Sequence, residues 1–158
     1  MPRKPQITVV SMSEAHIPAL ADIEKACFST PWSVQALREE LEVPSAIFLV
    51  ALVDGNVAGY MGMQVTYDVA YVCNIAVAPA FRRMGVASAL LAAQTDVCRL
   101  RNIGELSLEV RRSNTAARAL YEKSGFCRVG TRPRFYSHPP EDAEIYTLRL
   151  PSQPKGTV

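Results

Sequence analysis

The pattern that most constrains this chain begins at Gly85. From there Val86, Ala89, Leu90, Ala93, Val97 and Leu100 recur at helical spacing over about four turns. Just before them, residues 71–77 form an apolar run that reads as a strand, and Pro79 stops it. Asn102 and Gly104 end the helix. A strand, a short basic loop and a long amphipathic helix therefore stand at the centre of the sequence.

The flanking segments extend this to a mixed α/β fold. Residues 7–11 are a β-branched run, hence a strand. Ser13 caps a following helix with Pro18 near its start and Ile17, Leu20, Ile23 and Cys27 on its buried face. Ser33 is a second N-cap, with Trp32 and Leu37 placed as a hydrophobic staple, and Pro44 ends that helix after about Glu42. Residues 46–52 and 57–66 are strands joined by Asp54-Gly55-Asn56, a hairpin signal. Leu106, Leu108 and Val110 alternate with polar residues, the mark of a strand with one apolar face. A short helix over residues 114–124 ends at Gly125, a left-handed cap with Phe126 as its apolar partner. Residues 127–130 and 143–150 are the last strands. The segment 131–142 between them, with three prolines and two aromatics, reads as a loop. Residues 1–150 read as a single domain and residues 151–158 as a loose, flexible tail.

Composition narrows the function. The chain has 158 residues, 49% apolar and 20% charged, with a formal net charge of +2. That charge is too near zero to argue for nucleic acid. No run of 18 apolar residues exists to span a membrane, and no apolar stretch follows the start to make a signal peptide, so a cytoplasmic location is expected. Cys27, Cys73, Cys98 and Cys127 stand far apart without metal-ligand spacing. They read as small buried residues, and no metal site is expected.

The loop before the long helix carries Arg82, Arg83 and Gly85, and the small Ala87 opens the helix. A helix N-terminus has unpaired N–H groups and a partial positive charge, and a glycine lets the backbone approach an anion. The loop reads either as a phosphate or pyrophosphate site or as an ordinary basic loop. It is neither a P-loop nor a dinucleotide fingerprint, since both glycine patterns are missing.

Arg82-x-x-Gly85-x-Ala87, after Asn74-Ile75-Ala76-Val77 and before Ala89-Leu90-Leu91, resembles the acetyl-CoA signature of the GNAT N-acetyltransferases. Two further segments share the likeness: Leu108-Glu109-Val110-Arg111 followed by Ser113-Asn114-Thr115, and Ala119-Leu120-Tyr121-Glu122-Lys123-Ser124-Gly125-Phe126. Within the superfamily the chain is most similar to the RimI type, cytoplasmic bacterial enzymes that acetylate a protein N-terminus, typically the alanine of a small-subunit ribosomal protein. Phe28-Ser29-Thr30-Pro31-Trp32-Ser33, Arg134-Phe135-Tyr136 and Glu141-Asp142-Ala143 carry that likeness, with Phe135 a departure from the usual pattern.

The resemblance implies a mostly antiparallel, twisted central sheet flanked by helices. A splayed pair of central strands would admit the acyl chain of acetyl-CoA, the cosubstrate. Ile75, Ala76 and Val77 would offer backbone groups to it, and a backbone N–H there would polarise the thioester carbonyl. Arg82, Arg83, Met84, Gly85, Val86, Ala87 and Ser88 would hold its pyrophosphate, and Asn114 would touch it while capping its helix. Glu109 would be the base, directly or through a water. A free α-amino group has a pKa of about 7.7–8.0, so a modest base is enough. From the residues alone Glu109 is equally a solvated strand carboxylate or a partner of Arg111.

Tyr121 would be the acid at the sulfur. Full transfer from an ordinary tyrosine to a thiolate is uphill by roughly 2 kcal/mol, so a hydrogen bond to the developing charge is the other option. A tyrosine simply packed on the sheet is a third. Trp32 and Tyr136 would wall the acceptor, a protein N-terminus, or else pack a long loop onto the sheet. Glu141 and Asp142 would attract a cationic amine or solvate that loop, and His138 reads as an exposed loop residue. Direct contact with nucleic acid or membrane is not expected, and a monomer is the expectation for assembly. Two other functions fit the same cofactor motifs: acetylation of a small-molecule amine, and a non-catalytic acyl-CoA-binding module.

Overall fold

The computed structural model describes residues 4–151. All of the expected tail beyond Pro151 lies outside the described residues. Seven strands and four α-helices follow in the anticipated order. They are β1 (Ile7–Ser11), α1 (Ile17–Cys27), α2 (Val34–Glu40), β2 (Ala46–Val53), β3 (Asn56–Thr66), β4 (Val69–Val77), α3 (Val86–Leu100), β5 (Glu105–Arg111), α4 (Thr115–Lys123), β6 (Cys127–Ser137) and β7 (Pro140–Arg149). Short 3-10 turns at Glu14–His16 and Pro79–Phe81 lead into α1 and into the Arg82–Gly85 loop before α3. The sheet order is β1-β2-β3-β4-β5-β7-β6. Adjacent strands run antiparallel in β1–β2, β2–β3, β5–β7 and β7–β6, and parallel in β4–β5.

By its contacts the chain divides into two compact units. The first comprises the chain up to Gln64 together with Cys73–Gln94. Its core is built from Ile17, Leu20, Ala21 and Ile23 of α1, Leu37 of α2, and Phe48, Val50, Tyr60 and Ala76 of the strands. The expected helical stripe of α1 is therefore buried. The Ser33 hydroxyl accepts the Ala36 N–H at 3.1 Å, as an N-cap should. Asp54 and Gly55 both take positive φ, which suits the twist of the β2–β3 hairpin. Two glycines of β3 are required by their neighbours. A Cβ on Gly59 would stand 2.6 Å from the Ala76 carbonyl oxygen, and one on Gly62 2.3 Å from the Phe48 ring.

The second unit comprises Val65–Val72 and the chain from Thr95 onward. Here the apolar face of β5 is buried, with Leu106, Leu108 and Val110 all within 5% exposure, as their alternation requires. The registered pairing of β4 with β5 spans three pairs and ends at Tyr71↔Ser107, whereas β5 pairs with β7 along its whole length. Asn102, rather than Gly104, is the left-handed residue that ends α3, and Ile103 N–H closes back on the Cys98 carbonyl. Gly125 caps α4 with φ +97°, and Phe126 N–H returns to the Tyr121 carbonyl.

Two expectations are corrected. Most of the segment 131–142 is not a loop: β6 continues to Ser137 and β7 begins at Pro140. β6 lies at the sheet edge, where Pro133 costs no ladder bond, and register shifts near Gly130 and between Arg132 and Tyr136 absorb the irregular residues. Also, Cys127 is exposed on that edge strand, while Cys98 is buried and Cys27 and Cys73 are partly so.

Candidate active site

In the first unit, β4 runs through Ile75, the buried Ala76 and Val77 to the loop at Arg82–Gly85. Ala78 N–H is tied to the Ala58 carbonyl at 2.8 Å, which fixes the end of the strand. Arg83 and Gly85 both have positive φ, at +63° and +87°. Such alternation turns successive backbone N–H groups toward one concave side, a nest for an anion. A Cβ on Gly85 would meet nothing within 4 Å, so the glycine is there for its backbone angle and not for space. Arg82, Arg83 and Ser88 are exposed, Met84 and Ala87 half-buried, and Val86 anchors the first turn of α3 in the core. Arg82 is steadied by the Cys27 thiol, 3.5 Å from its Nη2, and that thiol in turn donates to the Val77 carbonyl. The loop fits a pyrophosphate by backbone shape and by charge together.

Trp32 also belongs to the first unit. Its ring tilts against Phe48 at 6.3 Å, and Phe48 stacks on Tyr60 at 6.1 Å.

In the second unit, Glu109 is not the solvated carboxylate that one reading of its strand allowed. Its side chain is 5% exposed. The Tyr71 hydroxyl donates to it, and Arg132 Nε lies 3.0 Å away. Its cation is therefore Arg132 and not Arg111. Arg111 is committed elsewhere: it donates to the carbonyls of His138 and Pro139, pairs with Glu141 at 3.3 Å, and lies over the Tyr136 ring at 4.3 Å. Tyr136 thus belongs with Arg111, near enough to Glu109 to feel its charge. Burial and then the charge of Glu109 push its hydroxyl up to about 12. Burial, followed by the bond to Glu109, likewise raises the Tyr71 hydroxyl.

Glu141 and Asp142 are structural in this arrangement. Glu141 accepts the Ser113 N–H, and Asp142 accepts the Arg134 N–H and approaches Arg112. His138 is exposed, as expected.

Tyr121 is 4% exposed, between Phe126 at 5.8 Å and Tyr146 at 6.1 Å. Burial is the main cause that pushes its hydroxyl up to about 12. Full proton transfer from such a group to an ordinary thiolate is uphill by roughly 5 kcal/mol, which favours a hydrogen bond over transfer. Asn114 is the N-cap of α4, its side chain accepting the Ala117 N–H at 3.1 Å.

The sequence profile of the acetyltransferase (GNAT) family matches residues 17–126. The chain belongs to this family.

As a GNAT member it is an acetyl-CoA-dependent N-acetyltransferase, and its relatives carry more specific names. The chain is 35% identical to the ribosomal protein bS18-alanine N-acetyltransferase of Escherichia coli K12 over 145 residues, covering 90% of this chain and 97% of that one. It is also 35% identical to the N-alpha-acetyltransferase RimI of Mycobacterium tuberculosis over 155 residues, 92% and 93% of the two chains. The crystal structure of the ribosomal-protein-S18-alanine N-acetyltransferase from Escherichia coli superposes with a TM-score of 0.86 at 32% identity, covering 97% of this chain and 99% of that chain. Among the described residues, no helix is long and apolar enough to cross a membrane.

Two residues grouped with Glu109, Tyr71 and Arg132, had no sequence signal of their own. Tyr71 shares a strand face with Ile75 and Val77, but only the β4–β5 register brings it alongside Glu109. Arg132 was hidden because its segment lacked strand periodicity. Apart from that group, Glu24 in the first unit is a carboxylate on a buried helix face, and that misplaced charge was the signal available.

Proposed function

We propose that this enzyme transfers the acetyl group of acetyl-CoA to the N-terminal α-amino group of a protein, namely the N-terminal alanine of a small-subunit ribosomal protein of the bS18 kind. One observation carries the reading: Glu109 is a nearly buried carboxylate grouped with the Tyr71 hydroxyl, Arg132 and Tyr136. A charged amine entering such a cluster meets a base held in one orientation by its neighbours.

In the proposed reaction the α-amine gives a proton to Glu109, directly or through a water, and its nitrogen attacks the thioester carbonyl. Backbone N–H groups around Ile75 to Val77 stabilise the oxygen as charge builds on it. The C–S bond then breaks as the nitrogen sheds its second proton to water, leaving the neutral amide, and the Tyr121 hydroxyl donates a hydrogen bond to the leaving thiolate. Arg82, Arg83 and the backbone from Met84 to Ser88 hold the pyrophosphate, and Asn114 contacts the coenzyme while keeping its cap. Trp32 and Tyr136 flank the incoming peptide. Residues 1–150 act as one catalytic domain, working as a monomer in the cytoplasm without contact to nucleic acid.

The test is a mass-spectrometric assay with acetyl-CoA and a panel of acceptors: Ala-started peptides, Ser-started peptides, peptides with only a lysine amine, and free polyamines. Mass gain on the α-amine of Ala-started peptides is the expected outcome. Gain on polyamines alone would replace this reading with small-molecule acetylation. Cofactor binding without transfer to any amine would leave a non-catalytic acyl-CoA-binding module.

A further inference from the structure

Glu24 has no part in the chemistry above, yet it is the most deeply buried charged side chain of the first unit, at 1% exposure on the inner face of α1. A carboxylate in that place needs a reason, because burying it unpaired is costly. Its two ends supply one. The Glu24 backbone carbonyl accepts the Phe28 N–H at 2.9 Å, which closes α1. The Glu24 side chain reaches past the helix end, and Oε1 accepts the Trp32 N–H at 3.0 Å. One residue thus clamps both ends of the segment 28–32, immediately before Ser33 caps α2.

The clamp is continued inward. Asn74 Nδ2 donates to the Tyr60 oxygen at 3.1 Å. Burial, and after it the charge of the nearby Glu24, raises the Tyr60 hydroxyl, while Glu24 Oε2 has no hydrogen-bond partner among the described residues. Tyr60 is fully buried, and its ring lies beneath Phe48, which in turn carries the Trp32 ring. Gly62 makes room for that stack, since a Cβ there would collide with Phe48. Trp32 is therefore held twice, through its backbone by Glu24 and through its ring by Phe48. The ring support rests on Tyr60, whose oxygen Asn74, the neighbour of Ile75 in β4, holds in place.

We infer that Glu24 is a positioning residue for acceptor recognition, which through its bond to the Trp32 backbone fixes the segment 28–32, and with it the Trp32 ring seated on Phe48 and Tyr60, as one wall for the incoming peptide. This rests on the proposed acetylation of a protein N-terminus. It assigns the wall to a buried carboxylate and not to the aromatic packing alone. Glu24 touches no reacting atom, so its loss acts on acceptor binding and leaves the chemical step and the coenzyme site in place.

The experiment compares wild type with Glu24→Ala, Glu24→Gln and Tyr60→Phe on an Ala-started peptide, varying peptide and acetyl-CoA separately. Trp32 is the single tryptophan, so its emission reports the wall directly. Glu24→Ala is expected to raise the peptide KM about tenfold, with acetyl-CoA KM within about twofold, and to shift Trp32 emission to the red. Glu24→Gln keeps an oxygen for the Trp32 N–H and is expected to restore the peptide KM to within about threefold of wild type. Tyr60→Phe removes one hydroxyl at nearly constant volume and is expected to raise the peptide KM about threefold.

An Ala variant with unchanged peptide KM and emission overturns the inference, as does a parallel rise in both KM values. Should Glu24→Ala fail to fold, Tyr60→Phe decides: a rise confined to the peptide KM supports the wall, and no change refutes it. If the wild type acetylates no peptide N-terminus, the proposed function fails and this role falls with it. If it does and the variants match it, the role of Glu24 alone is lost.

Discussion

Arg132 Nε stands 3.0 Å from the Glu109 carboxylate, joining an exposed edge strand to a carboxylate whose side chain is only 5% exposed. The pair gives a nearly enclosed carboxylate a cationic partner. The Arg132 side chain is 58% exposed, so the cost of burial falls mainly on Glu109. Removing Arg132 while keeping Glu109 should therefore destabilise the fold by about 1–2 kcal/mol. The Arg132→Ala, Glu109→Gln double-mutant cycle, read by urea denaturation, should recover about 1 kcal/mol of coupling. Additive single effects would mean that the two side chains do not depend on one another.

Glu109→Gln should slow transfer by roughly 10²–10⁴-fold, the ordinary worth of general-base catalysis. The loss should be deepest at low pH. There more of the acceptor amine, with a pKa of about 7.7–8.0, arrives protonated and has a proton to give up. Rate profiles from about pH 6 to pH 9 provide the check. An equal loss at every pH would remove proton abstraction from the role of Glu109.

Tyr121→Phe should lower kcat by roughly 10–100-fold, the range for losing a hydrogen bond to a charged atom. The shape of the pH profile should stay the same through about pH 9, because a hydroxyl pushed up to about 12 keeps its proton throughout. A variant with the full wild-type rate would reduce Tyr121 to packing against Phe126 and Tyr146.

Stability should vary with pH in two opposed ways. The bond from Arg128 holds the Glu144 carboxyl below its ordinary value, and the bonds from Ser113 do the same for Glu141. Folding favours the charged forms of both. Their contribution is complete above the ordinary glutamate value of about 4.3 and is lost as pH falls through the lowered values. Burial raises Glu24, so folding favours its neutral form. Its contribution is complete below about pH 4.3 and is lost as pH rises through the raised value. Urea midpoints across an acid-to-neutral series should therefore show Glu144→Gln losing most relative to wild type at neutral pH. Glu24→Gln should instead gain on wild type as pH rises out of the acid range. The same trend for both would mean that the sign assigned to one of the two carboxyls is wrong.

The sequence by itself determined the parts whose physics is local. The period of Val86 to Leu100 fixed α3, alternation fixed the buried face of β5, and Ser33, Asn114 and Gly125 marked helix ends because capping depends on residues three or four apart. The Arg82–Gly85 loop stood out for the same reason, since its charge, its glycine and its helix start are contiguous.

Tertiary structure alone decided which partner each buried charge would take. Arg111 and Arg132 are both plausible cations for Glu109 in one dimension. Strand register and the continuation of β6 gave Glu109 to Arg132 and Arg111 to Glu141 and Tyr136. β6 itself was obscured because an edge strand tolerates Pro133 and bulges, which erase the alternation that marks a strand. Tyr71 and Glu24 were hidden for a related reason. A hydrogen bond between residues 38 apart, or across a helix end to Trp32, leaves no period in the chain; it exists only once the backbone has folded the two groups together.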